Sequence, residues 1–373
     1  MKPLRLAVIG AGHLGRFHTR ILAARPDVDI VGIADTNPAA CEQLAATCGA
    51  AAWNNHQPAI GRVDAAVIAT PTRWHHAVAC DLLRAGVHLL IEKPLAASVA
   101  EAEELVALAR QHGAVLQVGH IERFNPVVEQ ASQENIGAPK YIEACRSAAH
   151  KFRSTDIGVV LDLMIHDIDL ALALTAAEVA RVDALGLALF GRHEDVAQAR
   201  LTFDNGCVAN LSSSRASFVV RRSMQIWGDR GFAGLDLGAR TANLVRPDDI
   251  LLGEGFDVER LPAERIAHYR DNLFGELLHL EPVAAGDVDQ LTAELSDFVE
   301  SIQTGRAPRV PGEQGLAALA VAERVLEAIA AHQWDGRADG RIGPFAEPPV
   351  HVLPGPHWHR QPAAEPLPRK EAG

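Results

Sequence analysis

Positive charge is the first thing this sequence lacks. Its 35 lysines and arginines stand against 47 aspartates and glutamates, a formal net charge of −12. Binding a phosphate backbone needs a basic face, so the balance argues against a nucleic-acid partner. Cysteine is sparse too: Cys41, Cys48, Cys80, Cys145 and Cys207 are scattered, with no C-x-x-C pair. Such spacing argues against a disulfide frame or a cysteine-based zinc site and points to reduced thiols. No apolar run approaches the ~20 residues of a membrane span, and the chain enters its first strand too early for a signal peptide. The expectation is a cytoplasmic protein with no membrane insertion. Hydrophobic residues make up 48% of its 373 positions, enough for two domains with proper cores.

What the sequence does have is concentrated at its start. Leu4 to Ile9 is a short apolar run of the kind that forms a buried strand, and Gly10-Ala11-Gly12-His13-Leu14-Gly15 follows at once. A helical pattern comes next, with Leu14, Phe17, Ile21 and Leu22 on one face, then a second strand from Asp29 to Ala34 that ends in Asp35. A glycine fingerprint alone is a weak signal. Set between a strand and a helix, with a second strand and an acid following within about 30 residues, it reads as a dinucleotide site. Gly10 permits the tight turn, Gly12 lets the backbone approach a pyrophosphate, and Gly15 seats the helix on the sheet. Asp35 selects NAD, because its carboxylate accepts from both ribose hydroxyls and repels a 2′-phosphate. Thr36 and Asn37 supply no compensating cation.

Strands and helices alternate through about residue 120, which predicts a doubly wound parallel sheet. Pro38 to Gly49 reads as a helix, Val63 to Ala69 as a strand ending at Thr70-Pro71, and His75 to Ala85 as a helix. Val87 to Ile91 is a strand before Glu92-Lys93-Pro94. Ser98 caps a helix through Arg110, with Glu101 completing a capping box. Ala114 to Val118 is the last strand of this part. Beyond it the pattern becomes a meander: Tyr141 to Ala148, Val182 to Phe190, Ala197 to Phe203, Cys207 to Phe218, Ser223 to Trp227, Phe232 to Leu237 and Thr241 to Val245. Asn205-Gly206 is a hairpin signal. Leu291 to Thr304 and Glu313 to His332 are closing helices. The fold class is therefore α/β, an N-terminal Rossmann sheet plus a C-terminal α/β domain with a largely antiparallel open sheet. The expected boundaries are 1–122, 123–335 and a proline-rich tail at 336–373 that is extended or disordered. His351, His357 and His359 in that tail are read as solvated.

Two stretches carry chemistry. Lys93 stands at the carboxyl end of a strand and is aimed by Pro94, where an ammonium can stabilise a developing oxyanion. On position alone, a surface lysine is an equal alternative. Asp162 and His166 lie four residues apart within a helix read over Val159 to Leu174, and histidine titrates where taking a hydroxyl proton is easy. Asp162, His166 and Asp167 could also ligate a metal. No further ligand set is evident, so no metal is expected.

The order of these motifs resembles the Gfo/Idh/MocA family of NAD(P)-dependent sugar and inositol oxidoreductases, over roughly residues 4 to 332. The resemblance implies a cis peptide before Pro94 and an open sheet that mediates a homodimer or homotetramer. It implies catalytic Lys93, His166 and Asp162. The cofactor set is Gly10, Gly12, His13, Leu14, Gly15, Asp35, Thr70, Pro71, His75, Glu92 and Lys93. Gly119-His120-Ile121-Glu122-Arg123-Phe124-Asn125-Pro126 and the stretch around His166 look like the branch that oxidises the 3-hydroxyl of UDP-N-acetylglucosamine. In that branch an aminotransferase partner then forms a diamino lipid A sugar. Substrate contacts are expected from Glu122, Arg123, Asn125, Arg146 and Asp169. Lys140, Lys151, Arg153, Arg215, Arg221 and Arg222 add local positive charge, most of it read as solvated. The alternatives are a free-sugar or inositol dehydrogenase and, in another class, a catalytically idle NAD-binding sensor or scaffold.

Overall fold

The computed structural model describes residues 2–133, 136–152, 157–253, 255–284, 286, 289–334 and 342–344. Arg153 and most of the expected tail, with its three histidines, lie outside the described residues. The first domain runs β1 (Leu4–Ile9), α1 (His13–Ala23), β2 (Val28–Ala34), α2 (Pro38–Ala46), β3 (Ala51–Trp53), β4 (Ala65–Ile68), α3 (His75–Arg84), β5 (His88–Glu92), α4 (Val99–His112) and β6 (Leu116–Gly119). Its six-stranded sheet has the order β3-β2-β1-β4-β5-β6, every pair parallel. Strand residues alternate between two cores. Leu6 and Val8 pack with Leu22 and Phe298 on one face, while Ala7 and Ile9 pack with Leu82 and Leu89 on the other. Burial on both faces is why these strands read as continuous apolar runs. The order reverses between β1 and β4, which opens a crevice at their carboxyl ends.

Local signals at α4 hold. Ser98 accepts the Glu101 amide at 3.3 Å, while the Glu101 side chain accepts from Ala97, one residue earlier than a reciprocal capping box would have it. Sequence patterning did not show β3, whose three residues are too few to display a period.

The second domain begins with α5 (Pro126–Gln133) and β7 (Pro139–Ala149). A π-helical turn, Val160–Met164, runs directly into α6 (Ile165–Thr175). Then come β8 (Val179–Leu187), β9 (Val196–Phe203), β10 (Val208–Ser214), β11 (Ala216–Gly228), β12 (Phe232–Asp236), β13 (Thr241–Pro247), α7 (Asp249–Leu252), α8 (Ala263–Asp271), β14 (Leu278–Ala284), α9 (Gln290–Thr304) and α10 (Gly312–Ala331). The eight-stranded sheet has the order β14-β13-β12-β11-β7-β10-β9-β8, antiparallel except for β7 with β10.

Two strand ends differ from the sequence pattern for a reason far along the chain. The strand expected over Cys207 to Phe218 breaks at Arg215, whose amide and guanidinium both bond to Asp195 (2.9 and 2.6 Å). β8 ends at Leu187 rather than Phe190 because Asp195 also accepts the amides of Leu189 and Phe190, at 2.6 and 2.8 Å, and curls the chain. The described residues between β13 and β14 carry two short α-helices, a 3-10 turn at Val258–Arg260 and a π-helical turn at Leu273–Leu277, none announced by an apolar period. Gly343, expected in an extended tail, instead accepts a bond from the Trp334 indole at 3.0 Å.

The closing helices join the domains. α9 sends Leu295, Phe298 and Val299 into the core beneath β1, and α10 places Leu319 in the first domain and Ala322, Val325 and Ile329 in the second. Phe298→Ala should lower unfolding free energy by about 3–5 kcal/mol, since it empties a fully buried aromatic site. Denaturant titration checks this, and a loss below about 1 kcal/mol would contradict the packing described.

Candidate active site

Gly10 has φ +111, a conformation that L side chains rarely adopt, and a Cβ there would meet the Ala69 carbonyl at 2.5 Å. A Cβ on Gly15 would sit 1.8 Å from the Gly10 carbonyl, so α1 lies directly against the turn. Gly12 differs: nothing lies within 4 Å of its missing Cβ, and α1 starts there with no side-chain cap. The helix amides are therefore open to an anion. Asp35 accepts the Ala11 amide at 2.6 Å and the Asn37 amide at 2.7 Å. Its carboxylate is fixed beside the turn, and each oxygen keeps a lone pair for a ribose hydroxyl.

A cavity of about 620 Å3 leads away from this turn. Gly12, His13, Leu14, Thr70, Pro71, Glu92 and Lys93 form one wall, and Asp162 and His166 the other. The Lys93–Pro94 peptide is cis. Lys93 Nζ donates to the Asp162 carbonyl at 2.5 Å and approaches its Oδ1 at 3.3 Å, so the strand end of one domain is tied to the π turn of the other. That turn replaces the uniform helix expected here; π turns often accompany functional sites. Glu194 secures its start by accepting the Val160 amide at 3.0 Å. Burial, then Lys93 and Arg146, hold His166 well below the ordinary histidine range. Its imidazole is thus neutral and able to accept a proton.

Other expected positions do something different. His75 is buried outside the cavity wall, with its ring nitrogens 2.9 Å from the carbonyls of Pro94 and Thr70. A neutral ring has one N–H to give, so His75 donates to one of these carbonyls and lies against the other, between the two loops. Glu92 lies at the cavity floor. Burial opposes its charge, but a 2.8 Å contact with His18 outweighs that and keeps the carboxyl below its usual range.

Among the expected substrate contacts, Glu122 and Arg146 line the cavity, while Arg123, Asn125 and Asp169 do not. Asn125 is fully buried and donates to Glu122 and the Leu237 carbonyl, both at 3.1 Å. Arg123 turns to Asp169 at 3.3 Å, and Asp169 is 2% exposed. The short 3-10 turn after β6 points these side chains into the domain junction, which a sequence cannot show. Arg146 is clamped between Glu122 (2.6 Å) and Asp167 (2.7 Å). Burial works against Glu122, yet Arg146 holds it below the ordinary carboxyl range; for Asp167 burial wins and raises it. Of the other cations, Lys151, Arg215 and Arg222 reach the cavity, and Lys140 and Arg221 do not.

Two residues escaped the sequence reading. Glu294 on α9 lines the cavity with an unpartnered Oε1, and burial next to Glu92 raises its pKa well above the usual value, leaving a neutral acid. Nothing in a helical pattern marks it. His120, directly after β6, is fully buried with both ring nitrogens unpartnered. Its place at a strand end was the available signal. Metal-type side chains also gather away from the cavity, where His76, Cys80 and Glu104 meet between α3 and α4. Arg84 shares Glu104 at 3.0 Å, and burial keeps the Cys80 thiol protonated, pushed up to about 11.

The open glycine turn, the fixed Asp35, the unpartnered buried Thr70 Oγ1 and the neutral Glu294 together fit a dinucleotide. Comparison with known proteins agrees. Residues 4–120 match the oxidoreductase family profile with the NAD-binding Rossmann fold, and 127–233 match the Gfo/Idh/MocA C-terminal domain. The chain belongs to the Gfo/Idh/MocA oxidoreductase family. It is 38% identical to UDP-N-acetylglucosamine 3-dehydrogenase of Acidithiobacillus ferrooxidans over 332 residues, 89% of this chain and 99% of that one. A solved structure of that enzyme superposes with a TM-score of 0.76, covering 88% of this chain and 98% of its own. Inositol 2-dehydrogenase of Rhizobium meliloti is 25% identical, over 88% and 97% of the two chains. An Agrobacterium radiobacter oxidoreductase solved with NAD+ shares the fold at TM-score 0.74 and 18% identity, covering 90% and 98%. The family member in hand is an NAD-dependent oxidoreductase, and among its described residues no helix is long and apolar enough to cross a membrane.

Asp35→Ala should weaken NAD binding on the order of 10-fold and narrow its preference over NADP. Fluorescence titration of both cofactors measures this. Equal affinity of the unaltered protein for the two would refute the role of Asp35.

Proposed function

We propose that this oxidoreductase removes hydride from C3 of UDP-N-acetylglucosamine, giving the 3-keto nucleotide sugar. The observation that carries the reading is the lining of one cavity. Gly12 of the glycine turn, Lys93 and His166, and Lys151, Arg215 and Arg222 all face it. Among the described residues Lys151 and Arg222 have no ion pair, so they are free to meet a diphosphate. The name of the 38% identical relative supports the same substrate. A free sugar or inositol would leave Lys151 and Arg222 without an anion to meet. A sensor or scaffold would have no use for Lys93 and His166 on the same cavity.

Bound NAD supplies the hydride acceptor. Lys93 holds the substrate oxygen and stabilises the negative charge that grows there as the C–H bond breaks. Asp162 fixes that ammonium through its carbonyl and carboxylate. His166 receives the hydroxyl proton. We assign it the base because burial and neighbouring cations keep it unprotonated. Glu92 and Glu294 stand on the cofactor side, where a neutral Glu294 can donate as well as accept. Consumption of the keto sugar by an aminotransferase and assembly into a homo-oligomer belong to the same proposal. Phe218 at 98% exposure and Val220 at 73%, both on β11, support the latter.

Lys93→Ala and His166→Ala should each lower turnover on the order of 10²–10⁴-fold while NADH binding persists. A base with a depressed pKa works when unprotonated. The acid limb of kcat/KM for oxidation should therefore fall below pH 6.5, the ordinary histidine value, and be absent in His166→Ala. A limb above that value, or one that survives in His166→Ala, would remove histidine from the role.

A keto sugar is less stable than its alcohol and NAD is a mild oxidant, so NAD and UDP-N-acetylglucosamine alone should give little NADH. Adding an aminotransferase active on the keto sugar, with an amino donor, should pull the reaction forward and yield a 3-amino nucleotide sugar by mass spectrometry. Arg222→Ala should raise KM for the nucleotide sugar on the order of 10-fold with little change for NAD. No coupled product, with inositol or a free sugar oxidised well, would leave only the family assignment standing.

A further inference from the structure

Behind the cavity wall, unpartnered polar atoms gather around one buried ring: Nδ1 and Nε2 of His120, Nδ1 of His166 and Oδ2 of Asp169. The His120 and His166 rings stand edge to face with centroids 6.2 Å apart. The other carboxylate oxygen of Asp169 accepts from Arg123 at 3.3 Å, and Asp169 acts on His120 through its charge. Native interiors leave few buried polar atoms without partners, so four in one neighbourhood ask for a common cause.

We propose that His120 is a proton relay between His166 and Asp169, so that the proton released by substrate oxidation is stored behind the cavity wall until product leaves. This rests on His166 being the base. The C–H bond breaks with its electron pair going to the nicotinamide, and the hydroxyl proton binds the cavity-side nitrogen of His166. The Nδ1 proton of His166 then passes to one nitrogen of His120, and the proton on the opposite nitrogen passes to Asp169 Oδ2. The relay ends with neutral imidazoles and a carboxylic acid, with one proton moved and no other bond changed. A small ring rotation or a bridging water spans the gap between the rings. Once product has gone, the proton returns by the same route to the open cavity.

The surroundings suit that traffic. His120 is faced by Asp169 from α6, by Lys93 and Glu92 from the end of β5, and by Arg123 from the turn after β6. His166 additionally feels Arg146 and Arg222. Burial lowers both histidines and raises Asp169, which brings their proton affinities toward one another. A relay needs that matching; a purely structural histidine would hold a fixed partner instead.

The test uses full-length His120→Phe, His120→Gln and Asp169→Asn, with retained NADH binding as the check on folding. For whichever alcohol the unaltered protein oxidises, the two His120 variants should lose on the order of 10-fold or more in kcat. They should also show a larger solvent deuterium isotope effect and recover with added imidazole buffer, which the unaltered protein should ignore. Independently of any substrate, 15N-histidine NMR of the NADH complex should show the His166 titration displaced in Asp169→Asn and in His120→Phe. His120→Gln serves if His120→Phe does not fold. An unchanged isotope effect with no buffer rescue, or a His166 titration untouched by both variants, overturns the relay. If His166→Ala is inactive while the His120 variants run normally, only the relay falls. If His166→Ala retains turnover, the base assignment falls first.

Discussion

The contact between Lys93 and Asp162 is the constraint on which the rest of the site depends. It ties the carboxyl end of β5, set by the register of the parallel sheet, to a π turn that belongs to the other domain. At the cavity the two domains therefore meet through one ammonium, while α9 and α10 join their cores elsewhere. The surrounding structure keeps each side from drifting. On the Lys93 side, His75 sits between the Pro94 and Thr70 carbonyls and donates to one of them. On the Asp162 side, Glu194 anchors the turn, and Asp195 next to it holds Arg215. Catalytic geometry tolerates errors of about half an ångström, so such bracing is worth more than additional contacts in the cavity.

The same logic explains why so many charges near the cavity are buried and spoken for. Arg146, flanked by Glu122 and Asp167, is almost without exposure. Removing one member of such a group leaves an uncompensated charge at about 3–5 kcal/mol, so the cluster resists rearrangement even where it contributes little net stability. It fixes β7 against α6 and the turn after β6, the three elements that shape the far side of the cavity. Arg123 with Asp169 does the same one layer deeper. Glu122 and Arg146 thus line the cavity while being held in place by each other, and Arg123 and Asp169 pair outside its lining.

What could be read from the sequence was whatever depends on near neighbours. The glycine turn, the Ser98 cap and the Asn205-Gly206 hairpin are short-range events, and each is present; Asn205 accepts the Cys207 amide at 3.0 Å and Gly206 has φ +83. The alternation along β9 and the continuous runs of the first sheet were legible because burial imposes a period. The break at Arg215, the early end of β8 and the inward turn of Asn125 are dictated by partners far along the chain, Asp195 and Leu237. No window of neighbouring residues contains that information. That Asp162 and His166 face one cavity could be expected from their spacing, but the π turn that carries Asp162 could not.

Net charge misleads in a related way. At −12 the chain repels polyanions as a whole, and that is sufficient to argue against a long phosphate backbone. A single diphosphate is smaller than a Debye length and responds to the few charges that line its pocket. Of the lining cations, Lys93, Arg146 and Arg215 are paired with Asp162, Glu122 and Asp195, which leaves Lys151 and Arg222 without an ion pair among the described residues. Those two are local positive charge within an acidic chain. An acidic surface repels a small anion at long range, so these two cations act on one only at close approach, within a Debye length.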